Sequence, residues 1–158
     1  MAGFKIFPVG VVWAGTTVVL PVVAAGSIIS WDVWVETTQR FMLVLALIIP
    51  FEIRDMAYDP PELKTLPRRY GVVKTKVLGI SLIVLFFLLT FFKDEITQNE
   101  ILSKTFLLFG IGSILIVTRQ NQNKYFSAFW VEAIPFFWWV LIWLLEKIRF
   151  SLPIVASF

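Results

Sequence analysis

An all-α bundle of about five transmembrane helices is the fold class this chain predicts, and three observations predict it. Of 158 residues, 58% are hydrophobic and 16% charged, against about 25% charged in a typical soluble domain. The mean hydropathy is +0.82. Apolar runs such as FMLVLALIIP and VLGISLIVLFFLLTFF recur along the chain, approaching the roughly 20 residues that cross a bilayer as a helix. No long polar linker interrupts them, so residues 1–158 are expected to form a single helical domain.

The spans follow in order. The first covers about Ile6–Ile29, with Pro8 and Pro21 predicting kinks or a late start. Lys5, the apolar run and the small residues AAGS also fit a secretory signal. The length of the run and its prolines favour a retained span. The second covers about Phe41–Tyr58, the third Val72–Phe92, the fourth Ile101–Thr118 and the fifth Phe126–Leu145. Gly110 and Gly112 in the fourth are expected to mark close helix packing. Trp31 and Trp34 are expected at a membrane interface.

The chain contains neither Cys nor His. Disulfides, thiol catalysis, Cys/His zinc sites and axial His ligands are thereby excluded. Chemistry is left to carboxylates, Lys, Arg, Tyr, hydroxyls or an oxygen-bound metal. The net charge of +3 is modest and forms no basic tail, so nucleic acid is not an expected partner. Lys and Arg instead orient the bundle. With five spans, the amino-terminus and the second and fourth loops share one side. That side holds nine of the 14 Lys and Arg residues, including Arg54, Lys64, Arg68, Arg69 and Lys74. The positive-inside rule puts it in the cytoplasm, as expected for an inner or plasma membrane protein. Asp32, Glu36 and the acids Asp94, Glu95 and Glu100 then fall on the outer side, the last three as a solvated loop.

The most concentrated charge lies in PFEIRDMAYDPPELKTLPRRYG, Pro50–Gly71. If the second helix continues through Tyr58, then Glu52, Asp55 and Asp59 fall within about 60° of arc at the membrane boundary. Three carboxylates that close repel unless a cation sits among them. Mg²⁺, which takes oxygen ligands and keeps room for water and substrate phosphate, is the natural choice. Pro60 and Pro61 stop the helix, and Lys64, Arg68 and Arg69 follow where they would hold phosphate oxygens. The competing reading is a juxtamembrane loop of mixed charge neutralised by its own salt bridges.

EIRDMAYD followed by LKTLPRRYG resembles the second aspartate-rich motif of the UbiA-type intramembrane prenyltransferases. Arg54, Asp55, Asp59, Thr65, Leu66 and Gly71 fall in register with it. The five-span layout resembles the carboxy-terminal half of the nine-helix family fold, with the motif in the corresponding loop. The resemblance implies transfer of an isoprenyl group from its diphosphate to a lipophilic or aromatic acceptor. It implies Asp55 and Asp59, with Glu52, as Mg²⁺ ligands, and Arg54, Lys64, Arg68 and Arg69 as diphosphate contacts. Metal and cations stabilise a leaving diphosphate, and aromatic faces stabilise an allylic cation. The seven Trp and sixteen Phe include candidates for such walls, although most are expected to face lipid. Two departures stand out. Glu52 replaces the usual Asn or Asp, and a Pro-Pro pair enters the linker. The family's first motif, N-D-x-x-D-x-x-x-D, is absent from the chain. The resemblance therefore implies half an active site, from a truncated longer enzyme, one completed by a second chain, or one whose activity is lost.

Glu132 lies inside the fifth span beside Pro135, and an intramembrane acid is a functional candidate by default. Together with Tyr58 it is a candidate for an acceptor pocket, with Pro135 kinking the helix and opening a gap; the bland alternative is an edge residue reaching water. Two other functions compete. A non-catalytic membrane assembly or scaffold protein would need no shared metal. A CDP-alcohol phosphotransferase also places aspartates at a membrane edge, but its D-G-x-x-A-R and G-x-x-x-D elements are missing from this stretch.

Overall fold

The computed structural model describes residues 6–58, 65–119 and 124–151. It is an all-α bundle, with no strand among the described residues. Helix α1 runs Ile6–Ala24, α2 Trp31–Asp55, short α3 Leu66–Tyr70, α4 Val72–Leu88, α5 Gln98–Val117 and α6 Lys124–Ser151. Four helical stretches are long and apolar enough to cross a membrane: Ile6–Ala24, Trp31–Asp55, Val72–Phe92 and Gln98–Val117. The fifth expected span corresponds to α6, whose described apolar stretch is Val131–Leu145.

Helix α1 stays continuous despite Pro21 by loosening before it. Pro21 has no N–H for the carbonyl one turn back. The backbone widens to a π turn over Gly15–Val19, and Leu20 N–H donates to Gly15 O. Thr16 and Thr17 hydroxyls donate to the Val12 and Trp13 carbonyls one turn back at 2.7 Å, a back-bonding that goes with bent helices. Ile6, Gly10, Ala14 and Val18 repeat every four residues and form the buried stripe. That stripe packs on α2. The opposite face, including Val11, Val12 and Trp13, is exposed, as a lipid-facing surface must be.

Helix α2 is central and contacts α1, α4, α5 and α6. It begins ten residues before the expected Phe41 and ends at Asp55 rather than Tyr58. Glu36, Gln39 and Arg40 look too polar for a span, yet they belong to it because neighbouring helices supply their partners. The helix also runs through buried Pro50. Leu43, Ala46, Ile49 and Ile53 point inward at helical spacing. They meet Ile83 and Phe86 of α4, Leu107, Ile111 and Leu115 of α5, and Ile134 of α6. Lipid is as apolar as this core, so close van der Waals fit, not exclusion of water, holds these helices together.

Close approach occurs at Gly10 and Gly79. A methyl added at Gly79 would lie 3.0 Å from Leu115 Cδ2 and 3.1 Å from Ile49 Cδ1; at Gly10 it would lie 2.8 Å from Phe41 Cδ2. Gly110 and Gly112, the positions expected to play this part, have no neighbour within 4 Å of an added methyl among the described residues. Pro135 lies within continuous α6.

Between α3 and α4 the chain turns at Gly71, with φ 84° and ψ 154°. Only glycine adopts that region without strain. Gly71→Ala should therefore lower stability by about 1–3 kcal/mol, read as a drop in thermal midpoint in detergent; an unchanged midpoint would contradict this role.

Candidate functional site

The bundle has two polar ends. At the first, α2 terminates at Asp55 and Met56–Tyr58 form a turn, with Ala57 N–H to Arg54 O and Tyr58 N–H to Asp55 O. The helix needed to align Glu52, Asp55 and Asp59 on one face thus stops at Asp55. Asp59 and Lys64 lie outside the described residues.

The described part of this end is tied together by side chains. Glu52 Oε2 accepts from Leu66 N–H at 3.1 Å, at the start of α3. Arg68 Nη2 donates to Met56 O at 2.9 Å. Both contacts fold α3 back onto the end of α2. Arg54 Nε and Nη2 each reach Asp55 Oδ1 at 2.7 Å, and the Arg54 guanidinium lies 5.1 Å from the Phe51 ring centre. Arg69 is exposed and stacks near Tyr70 at 5.3 Å. Structure therefore brings Glu52, Arg54, Asp55 and Arg68 to one edge. Tyr58 and Glu132 are both exposed.

Among the described residues, no group of three or more acidic side chains converges to hold a metal ion. Glu52 faces a backbone N–H, and Asp55 faces Arg54. Magnesium often takes only one or two carboxylates, with water and substrate phosphate completing its shell. The Asp55 side chain, 37% exposed, suits that lesser part.

The opposite end is the better-built polar site, and its location was not expected. Lys104, 2% exposed, donates to Glu100 Oε1 at 2.6 Å, Gln39 Oε1 at 2.7 Å and Glu36 Oε2 at 3.2 Å. Gln39, fully buried, donates to Phe86 O at 2.8 Å and Thr90 Oγ1 at 3.0 Å. The Thr90 turn tightens into a 3₁₀ helix over Leu89–Phe92. Lys93 donates to Glu100 Oε1 at 2.7 Å and Glu36 Oε2 at 3.4 Å. Glu100 is thus a member of a partly buried ion network rather than of a solvated loop. Thr97 Oγ1 caps α5 by accepting from Glu100 N–H.

The connections at this end are pinned too. Trp31 Nε1 donates to Phe92 O at 2.8 Å, and Asp32 accepts from Asp94 N–H at 2.8 Å and Glu95 N–H at 3.3 Å. Trp31 and Trp34 are exposed, in keeping with an interfacial position.

Burial by itself would lower the Lys93 pKa, but hydrogen bonds and charge from Glu100 and Glu36 outweigh it and raise the pKa. Its contribution to stability is then fully present below its ordinary value of 10.5 and is lost as pH rises through the higher folded value. The midpoint difference between wild type and Lys93→Met should stay level up to that pH and shrink above it. A difference that shrinks already between pH 7 and 9 would contradict the pairing.

The i, i+4 pairs Glu36/Arg40 and Glu100/Lys104 are visible in the sequence as spacings. Their convergence depends on which helices face one another. No family model, curated protein or solved structure matches the chain, so its function is read from these residues.

Proposed function

We propose that this membrane-embedded chain supplies the diphosphate-facing half of a prenyl-transfer site, completed by further sequence or by a second chain. The observation that carries the reading is the Arg54–Asp55 pair at the end of membrane-spanning α2, with Arg68 folded back onto the same edge. Combined with the EIRDMAYD…LKTLPRRYG pattern, this gathers charges suited to diphosphate at a membrane boundary. In the proposed reaction the allylic C–O bond breaks and its electron pair leaves with diphosphate. The acceptor forms the new bond to the prenyl carbon and loses a proton. Arg54, Arg68 and Arg69 would hold the departing oxygens, with Lys64 as a further contact from the linker, while Asp55 and Asp59, with Glu52, would serve as Mg²⁺ ligands. Mg²⁺, bound together with substrate, would neutralise the leaving group.

The charge distribution supports a cytoplasmic position for this end. Because the chain has no Cys, introduced thiols report sidedness cleanly. Tyr70→Cys should resist a membrane-impermeant maleimide in intact cells, while Asp94→Cys reacts. The reverse pattern would invert the topology.

The direct test is equilibrium binding of geranyl diphosphate to the purified chain in nanodiscs, with and without Mg²⁺. Magnesium-dependent binding supports the reading. Binding that is absent, or indifferent to Mg²⁺ and to Asp55→Asn, defeats it. A second reading, a non-catalytic assembly subunit, is favoured by one observation. Glu52, Arg54, Asp55 and Arg68 are already engaged within the chain. On that reading Asp55→Asn alters stability or assembly and nothing else.

A further inference from the structure

We infer that the Arg54–Asp55 pair interlocks the two ligands of the charged end, so that a divalent cation and a diphosphate are taken up there as one complex and not separately. This role rests on the prenyl-transfer reading above and adds to it a control on how the site fills.

Residues adjacent on a helix point about 100° apart and do not ordinarily face each other. Arg54 and Asp55 nevertheless meet at the last turn of α2, where Nε and Nη2 both reach Asp55 Oδ1 at 2.7 Å. The guanidinium also lies 5.1 Å from the Phe51 ring centre. The Arg54 side chain is 13% exposed and that of Asp55 37%, so water screens the pair only in part. The group suited to a metal and the group suited to a diphosphate thus neutralise each other.

Either ligand alone meets a cost. Mg²⁺ gives up its hydration water reluctantly, and here it finds a guanidinium already on its carboxylate. A diphosphate alone finds that carboxylate already on its guanidinium. A cation–diphosphate complex replaces both partners in one exchange. The cation takes the place of Arg54 beside Asp55, and phosphate oxygens take the place of Asp55 beside Arg54. Linkage makes the effect reciprocal: each ligand raises the affinity for the other by the same factor.

The test titrates the intact chain in phosphatidylcholine nanodiscs with Mn²⁺, a cation that suits the same oxygen ligands as Mg²⁺; electron paramagnetic resonance reads the free ion. Arg54→Gln should bind Mn²⁺ alone about tenfold more tightly than wild type, within the usual range of coupling between linked sites. Adding Asp55→Asn should remove that gain. Arg68→Gln takes away a cation of the same edge, one that donates to Met56 O, and should change Mn²⁺ affinity by less than about twofold. No gain in Arg54→Gln, a gain that survives Asp55→Asn, or an equal gain in Arg68→Gln would overturn the interlock, even where geranyl diphosphate binds with Mg²⁺ as proposed. Failure of the wild-type chain to bind geranyl diphosphate with Mg²⁺ would instead remove the prenyl-transfer reading, and the interlock with it.

Discussion

Replacing Lys104 with Met should destabilise the bundle by about 3–5 kcal/mol, the cost typical of breaking a buried ion pair from one side. The ammonium is almost completely buried and serves Glu36, Gln39 and Glu100 together. Methionine fills a similar volume, so lost packing contributes little. What remains is two carboxylates near one another with Lys93 as their closest remaining cation and a Gln39 oxygen without its donor. Thermal or denaturant unfolding in detergent measures the loss. The combined replacement Lys104→Met with Glu100→Gln should recover part of the stability, since the orphaned charge goes with its partner. A loss under about 1 kcal/mol, near the mean for polar contacts measured in membranes, would mean that water or lipid replaces the ammonium.

Asp55→Asn should weaken magnesium-dependent binding of geranyl diphosphate on the order of 100-fold, the scale of removing one electrostatic contact to a developing charge. The accompanying signature separates mechanism from misfolding. Asp55 Oδ1 holds Arg54 through two contacts of 2.7 Å, and the amide cannot hold it as strongly. Arg54 loses these two contacts but keeps its charge, so binding without Mg²⁺ should not weaken while the magnesium increment disappears. A simple structural role predicts no such pattern. It predicts at most a small shift in thermal midpoint, because this pair is partly exposed and such pairs contribute little. Equal weakening with and without Mg²⁺ would sink the metal role of Asp55.

The two ends of the bundle differ in how much of them the sequence displays. At the charged loop, the EIRD and LKTLPRRYG segments lie close in sequence, and Gly71 marks the turn from α3 into α4. The meeting of Arg68 with Met56 across twelve residues is nearly local. Even there, the helix stops at Asp55 because the backbone turns at Met56–Tyr58, and continuation through Tyr58 could not be refused on spacing. At the other end, Lys104 is 65 residues from Gln39 and 68 from Glu36. Those polar residues read as span boundaries when each helix is taken alone. They read as interior once α2, α4 and α5 are set side by side. The misplacement of close packing has the same origin. A glycine's chemistry is the same at Gly79 and Gly110, and only the neighbouring helix decides that Gly79 meets Leu115 while Gly110 meets nothing within 4 Å among the described residues.

From its sequence alone this protein is a helical membrane protein without cysteine or histidine chemistry, with charge gathered at one loop. Length, apolar content and composition determine that much, because a bilayer tests each segment separately for hydrophobicity and hydrogen-bond closure. Tertiary structure alone decided that Glu36, Gln39, Lys93, Glu100 and Lys104 form one partly buried network, and that the Arg40 guanidinium lies over the Trp138 ring. Both depend on helix rotation and facing, which arise from packing between segments far apart in the chain.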